Sequence, residues 1–149
     1  MNYEIVDGTY AHVIELRANL RKEDAYEMAS VNTVRRNMAR AFKKSLYVKS
    51  VISDNKVIAM WGMAGTLLGD EGNPWFLTAP EIEKFPVSMV REGRRVVAEM
   101  LEIRPFLQNY IWDGHKKAVK FVSMLGFSLG PPNLVFPNGD LYRRIWMRR

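Results

Sequence analysis

Hydrophobic positions along this chain change their period twice. After a short apolar run from Tyr3 to Val6 and the turn signal Asp7-Gly8, Tyr10, Val13, Leu16 and Leu20 recur at helical spacing behind Thr9, a residue type that caps helix starts. The polar run from Arg21 to Met28 predicts a second, short helix. Asn32 or Thr33 caps a third, whose Val34, Met38, Ala41 and Phe42 form one apolar stripe opposite its arginines and lysines. The period then shortens to two. Leu46 to Ile52, the turn Asp54-Asn55 and Val57 to Ala64 predict a β-hairpin. A second turn, Gly69 to Pro74, leads to Trp75 to Thr78 as the third strand of a meander.

Helical spacing returns after Pro80 and Pro86. Met89, Gly93, Val96, Val97, Met100 and Ile103 share a face of the longest helix, which Pro105 ends. Gln108 to Trp112 follows as a buried strand, and Asp113 caps a last helix carrying Ala118, Phe121, Val122 and Leu125. Gly126 is its natural stop. Asn138-Gly139 is a hairpin turn before Leu141 to Met147. The predicted order is β-α-α-α-β-β-β-α-β-α-β-β. That is an α/β (α+β) domain with a mixed, mainly antiparallel sheet and helices on its faces.

Composition narrows the reading. The 149 residues fit a single domain spanning 1–149. With 48% hydrophobic and 26% charged residues, the chain has enough apolar material for one core. No run predicts a membrane span, and the N-terminus shows no basic region followed by an apolar stretch. The absence of cysteine excludes disulfides, thiolate catalysis and zinc–thiolate sites, and no metal site is predicted. The net charge is +6, concentrated in Arg35, Arg36, Arg40, Lys43 and Lys44 and in Arg143, Arg144, Arg148 and Arg149. Such clusters are solvated faces or meet nucleic acid or an acidic protein surface, and the helix from Val34 to Lys44 is the candidate for a weak nucleic-acid contact.

The order of elements, with the segment Ala118 to Phe127 ending in Leu125-Gly126-Phe127, resembles the GNAT-type N-acetyltransferases. A narrower resemblance is to the acetyltransferase-like proteins of short-tailed phages, the family that includes internal virion protein A. It is carried by Leu20 to Glu27, by Val57 to Gly62 with the strand at Trp75, and by Pro105 to Trp112. This second resemblance implies a protein of the virion, present in the host cytoplasm during assembly. Its partners would be portal, tail or internal core proteins and further copies of itself.

An active GNAT enzyme would bind acetyl-CoA through Arg/Gln-x-x-Gly-x-Gly/Ala between the fourth strand and the long helix, where backbone N–H groups hold the phosphates. The matching region, Glu81 to Arg95, offers Arg91, Gly93 and Arg94, with one glycine where two small residues are needed. Gly93 alone is equally a helix-packing residue. The family's proton-donating tyrosine would fall at Val122, which cannot donate. No carboxylate stands on Trp75 to Thr78 as a base. Tyr110 and Tyr142 are the nearest tyrosines in sequence, and His115 reads as an exposed residue at the start of the last helix.

No catalytic residue is therefore assigned. The expected function is a virion structural or interaction protein on a degenerate GNAT fold, binding no cofactor. The alternative is an acyl-CoA-dependent N-acetyltransferase with an atypical cofactor site. Arg21, Asp24 and Glu27, with Trp61 and Trp75, are the candidates for a relic cleft; otherwise they are a surface ion pair and two core indoles. Exposed Tyr142 and Trp146 beside the terminal arginines would suit a protein interface.

Overall fold

Asp54 and Asn55 both take positive φ, 50° and 61°, as a two-residue hairpin turn of the type I′ kind requires. They join β2 (Ser45–Ser53) to β3 (Lys56–Ala64), the most buried strand of the protein. This computed structural model describes residues 2–29 and 32–149. β1 (Glu4–Asp7) adds antiparallel to β2, and β4 (Glu71–Thr78) adds antiparallel to β3. The second half of the sheet is β5 (Phe106–Trp112), β8 (Leu141–Arg148) and two short pieces, β6 (Ser128–Leu129) and β7 (Leu134–Val135), both paired to β8. The strand order is β1-β2-β3-β4-β5-β8-β6, with β7 also on β8.

Among the described residues, five α-helices cover this sheet. α1 (Tyr10–Arg17), α2 (Lys22–Met28) and α3 (Val34–Lys44) precede the meander. Val13, Leu16 and Met38 pack with Met60 and Leu77 in one core cluster. α4 (Pro86–Ile103) and α5 (Lys116–Met124) belong to a second cluster, where Val96, Val97 and Met100 meet Trp61, Met63 and Leu107.

Several element boundaries differ from expectation for physical reasons. The fourth strand starts at Glu71, not Trp75, so Gly72, Asn73 and Pro74 lie in the strand and not in a turn. Gly72 is needed there, because a Cβ would fall 2.4 Å from the sulfur of Met63. β5 starts at Phe106, two residues early, because Glu71 and Gly72 extend the ladder to Phe106 and Leu107. The strand expected before the Asn138-Gly139 turn is split into β6 and β7 around Pro131 and Pro132, which have no N–H to give to a ladder.

The seam between the two halves positions the candidate site. β4 and β5 run parallel and pair only at Glu71–Phe106 and Gly72–Leu107. Pro74 then interrupts β4 as a donor, and the strands diverge. Side chains bridge the start of the gap: Asn73 Nδ2 donates to Gln108 O at 2.9 Å, and Asn109 Nδ2 donates to Pro74 O at 2.7 Å.

Candidate functional site

Two strands that splay leave backbone N–H groups that need partners. In this protein the first turn and a half of α2 supplies them. Asp24 Oδ2 accepts from Thr78 N at 2.8 Å and from Thr78 Oγ1 at 2.6 Å, at the end of β4. Glu27 accepts from Trp112 N at 3.0 Å, at the end of β5. The backbone adds a further tie, with Arg21 N donating to Thr78 O at 2.7 Å. The spacing of Asp24 and Glu27, one helical turn apart, thus matches the spacing of the two diverging strand ends.

His115 completes the cluster. Its Nδ1 accepts from Ala118 N at 3.3 Å and caps α5. That bond places the ring proton on Nε2, which lies 2.6 Å from Asp24 Oδ1 and donates to it. His115 is 1% exposed, so the sequence expectation of an exposed helix-start residue is corrected, as is the expectation that Asp113 caps α5. Asp113 instead accepts from Arg143 Nε at 2.6 Å and Lys116 Nζ at 3.1 Å, and these cations hold its carboxyl below the usual range. A histidine followed by three residues and a free amide was the missed signal. Histidine is an uncommon cap, and the partner that holds its ring is 91 positions away.

Arg21 and Asp24 form a buried pair at 3.7 Å, not a surface one. Arg21 also reaches Glu83 at 3.7 Å, and Lys117 pairs with the same carboxylate, which the two cations hold below its usual range. Burial pushes the Glu27 carboxyl up to about 7, against the bond from Trp112 and the nearby His115, which act to lower it. Arg21, Asp24, Glu27, Trp61 and Trp75 all line one cavity of about 690 Å³ with mainly apolar walls. Its lining includes Phe76 and Val97 on the α4–α5 side and Met28 and Leu77 on the α1–α3 side. The cavity therefore passes through the gap between β4 and β5. Its size is that of a small-molecule site.

The five cleft candidates thus share one space, but the three cofactor candidates do not form a cradle. Gly93 lies two turns inside α4, and a Cβ there would come within 2.8 Å of Leu125 and 3.1 Å of Phe121. Its missing side chain serves the contact between α4 and α5. Arg94 donates to Met124 O at 3.1 Å, closing the end of α5, and Arg91 reaches Tyr3 and Ser88. The start of α4 is Pro86, without an N–H, and the turn before it, Pro80–Lys84, carries Glu81 and Glu83. These residues do not fit a diphosphate, which needs converging N–H groups and no like charge.

Val122 lines the cavity with no proton to give. Tyr110 is exposed, whereas Tyr142 is buried and stacked on Phe136 at 3.6 Å, so the expected exposed pair of Tyr142 and Trp146 is not present. Trp146 is half-buried with Arg144 over its ring.

Comparison with solved structures defines the class of fold. Over 99% of this chain, a GNAT-family acetyltransferase from Streptococcus pneumoniae superposes across 99% of its own length, with a TM-score of 0.67 and 11% identity. The GNAT domain of the S. lividans PAT protein matches 99% of this chain over 90% of its own, at 0.68 and 12%. A ribosomal-protein-S5-alanine acetyltransferase from Vibrio fischeri matches 99% over 93%, at 0.66 and 11%. No family model and no curated protein sequence matches the chain. The fold is the GNAT fold, a mixed α/β architecture with an antiparallel-dominated sheet, as the order of elements predicts.

Proposed function

We propose that this chain is a virion protein of a phage that uses the GNAT fold for structure and interaction, with acetyl transfer given up. The observation that supports this is the pair of carboxylates on α2. Thr78 N and Trp112 N, the donors a ligand threading the β4–β5 gap would meet, are already held by Asp24 and Glu27. A ligand must displace a hydrogen-bonded carboxylate to reach them, and displacing Asp24 also strands the buried His115 that donates to it. α4 also opens on Pro86, which has no N–H to offer an anionic cofactor, and the turn before it carries Glu81 and Glu83.

On this reading the protein acts in the particle, and in the host cytoplasm during assembly. Its partners are portal, tail or internal core proteins and further copies of itself. The resemblance of Leu20 to Glu27, Val57 to Gly62 and Pro105 to Trp112 to the phage family supports the setting. Mass spectrometry of fractionated particles tests it: the chain is expected to copurify with particles through a density gradient, and its absence from them overturns the setting.

A second reading has one observation in its favour. The cavity of about 690 Å³ brings an apolar tunnel against Glu27, whose proton comes off near pH 7, the range for a general base. That would suit an N-acyltransferase holding its acyl-CoA by the acyl and pantetheine portions. Calorimetric titration with acetyl-CoA separates the two. The structural reading expects no heat at millimolar ligand; a micromolar Kd overturns it.

A further inference from the structure

α3 has two faces with opposite chemistry. Met38 is buried in the core cluster with Val13 and Leu16 of α1, and half-buried Val34 and Phe42 pack against that cluster. Arg36, Arg40, Lys43 and Lys44 occupy an arc of about 100° on the other side, as 3.6 residues per turn dictates. All four are exposed. Together with Ala39 they line a shallow depression. No ion pair engages any of them among the described residues. Four cations held on one rigid helix, without acidic neighbours to neutralise them, form a strong local field. Ala39 keeps the floor low enough for a backbone to approach.

We propose that this face of α3 is a docking surface for the phosphate backbone of duplex DNA, read by charge and not by sequence. The positions suit it: Arg36 and Arg40 are one turn apart, with Lys43 and Lys44 on the next, so the charges form a row along about 12 Å of helix. The face carries no aromatic side chain for stacking unpaired bases, which separates it from a single-strand platform. A lipid surface is disfavoured because an interfacial helix must insert its apolar face, and that of α3 is already buried against α1 and the sheet. The inference stands apart from the fate of the cavity, which is on residues that α3 cations do not touch.

The test uses the full chain and a fluorescein-labelled random 20-base-pair duplex, followed by anisotropy across a salt series. Four phosphate contacts predict a log–log salt slope of about −3.6, so affinity falls about 150-fold from 50 to 200 mM salt. Reversing Arg40→Glu and Lys43→Glu is expected to remove binding at 50 mM salt. Reversing Arg148→Glu and Arg149→Glu changes net charge equally and is expected to weaken binding less than tenfold. The milder pair Arg40→Ala and Lys43→Ala, with a circular dichroism melt on each variant, guards against misfolding. The proposal is overturned by a flat salt response or by no binding at 50 mM salt. It is also overturned by equal losses from the two reversals, which means general charge. Equal binding to a polyglutamate peptide or to phosphatidylserine vesicles overturns it too, since the partner is then an acidic protein or a membrane.

Discussion

Glu27 shows how one position can take a different character from its neighbours. It sits one turn after Asp24 on a polar helix, and from sequence either is a surface carboxylate. Burial raises Glu27 to about 7 from an ordinary 4.5. A raised carboxyl is bound to its proton more tightly in the folded chain. Its contribution to stability is therefore fully present below about pH 4.5 and is lost as pH rises through about 7. The change is on the order of 3 kcal/mol at most, and less because part of the side chain stays wet. Glu27→Gln keeps an acceptor for Trp112 N and removes the titration. Urea midpoints at pH 5 and pH 8 should differ for the native chain and converge for the variant; an unchanged difference assigns the pH dependence elsewhere. The glutamate itself was legible as a candidate, but its protonation was not, since desolvation is set by the strands that close around it.

At the scale of elements, the hairpin and the packing of β3 on β4 depend on one glycine. Gly62 lies opposite Trp75, and a Cβ there would fall 2.7 to 2.9 Å from three atoms of the indole. The ring is rigid and its Nε1 donates to Ser45 Oγ at 2.7 Å, so it has no free direction in which to move. Gly62→Ala is expected to cost about 1–3 kcal/mol and to shift the tryptophan emission as the ring leaves its place. Unaltered emission and an unaltered melt would show that β3 yields instead. Gly93 is the contrasting case, where the clash is with the flexible ends of Leu125 and Phe121. Gly62 sits in an apolar run and Gly93 between charged residues of a helix, and only the facing element tells which of them a methyl group would disturb.

On the scale of the whole molecule, the sheet is two ladders joined at one end and clamped at the other. The join is a two-residue parallel pairing, and the clamp is Asp24 and Glu27. Asp24→Ala leaves Thr78 N, Thr78 Oγ1 and His115 Nε2 without their acceptor. A loss of about 3–5 kcal/mol follows from stranding buried partners. Hydrogen exchange locates it: the Thr78 amide should exchange at least tenfold faster relative to Met60 and Ile145, which lie inside the two ladders. Uniform acceleration of all three would mean that α2 supports the fold generally and does not hold the seam.

What the amino-acid sequence determined alone is the order of elements and their faces. Helical and alternating periods are local, set by 3.6 and 2 residues per repeat, and they place the five helices and the three meander strands in the right order, though β4 begins four residues early and α1 ends before Leu20. Thr9 and Thr33 as caps, Asp54-Asn55 as a hairpin turn and Gly126 at φ 100° follow from the conformations these residue types favour. The five cleft residues were also legible, through the spacing on α2 and the tryptophans of the meander. Only the tertiary structure decided which of them would be buried and bonded. His115 reaches Asp24 across 91 positions and Thr78 across 54 from Asp24, pairings that no local period encodes. The early end of the β4–β5 ladder at Pro74 likewise has a local cause, yet the space it opens is known only when α2 is seen to fill its far end. Local chemistry chose the elements, and long-range packing chose what this GNAT fold does with the gap between its halves.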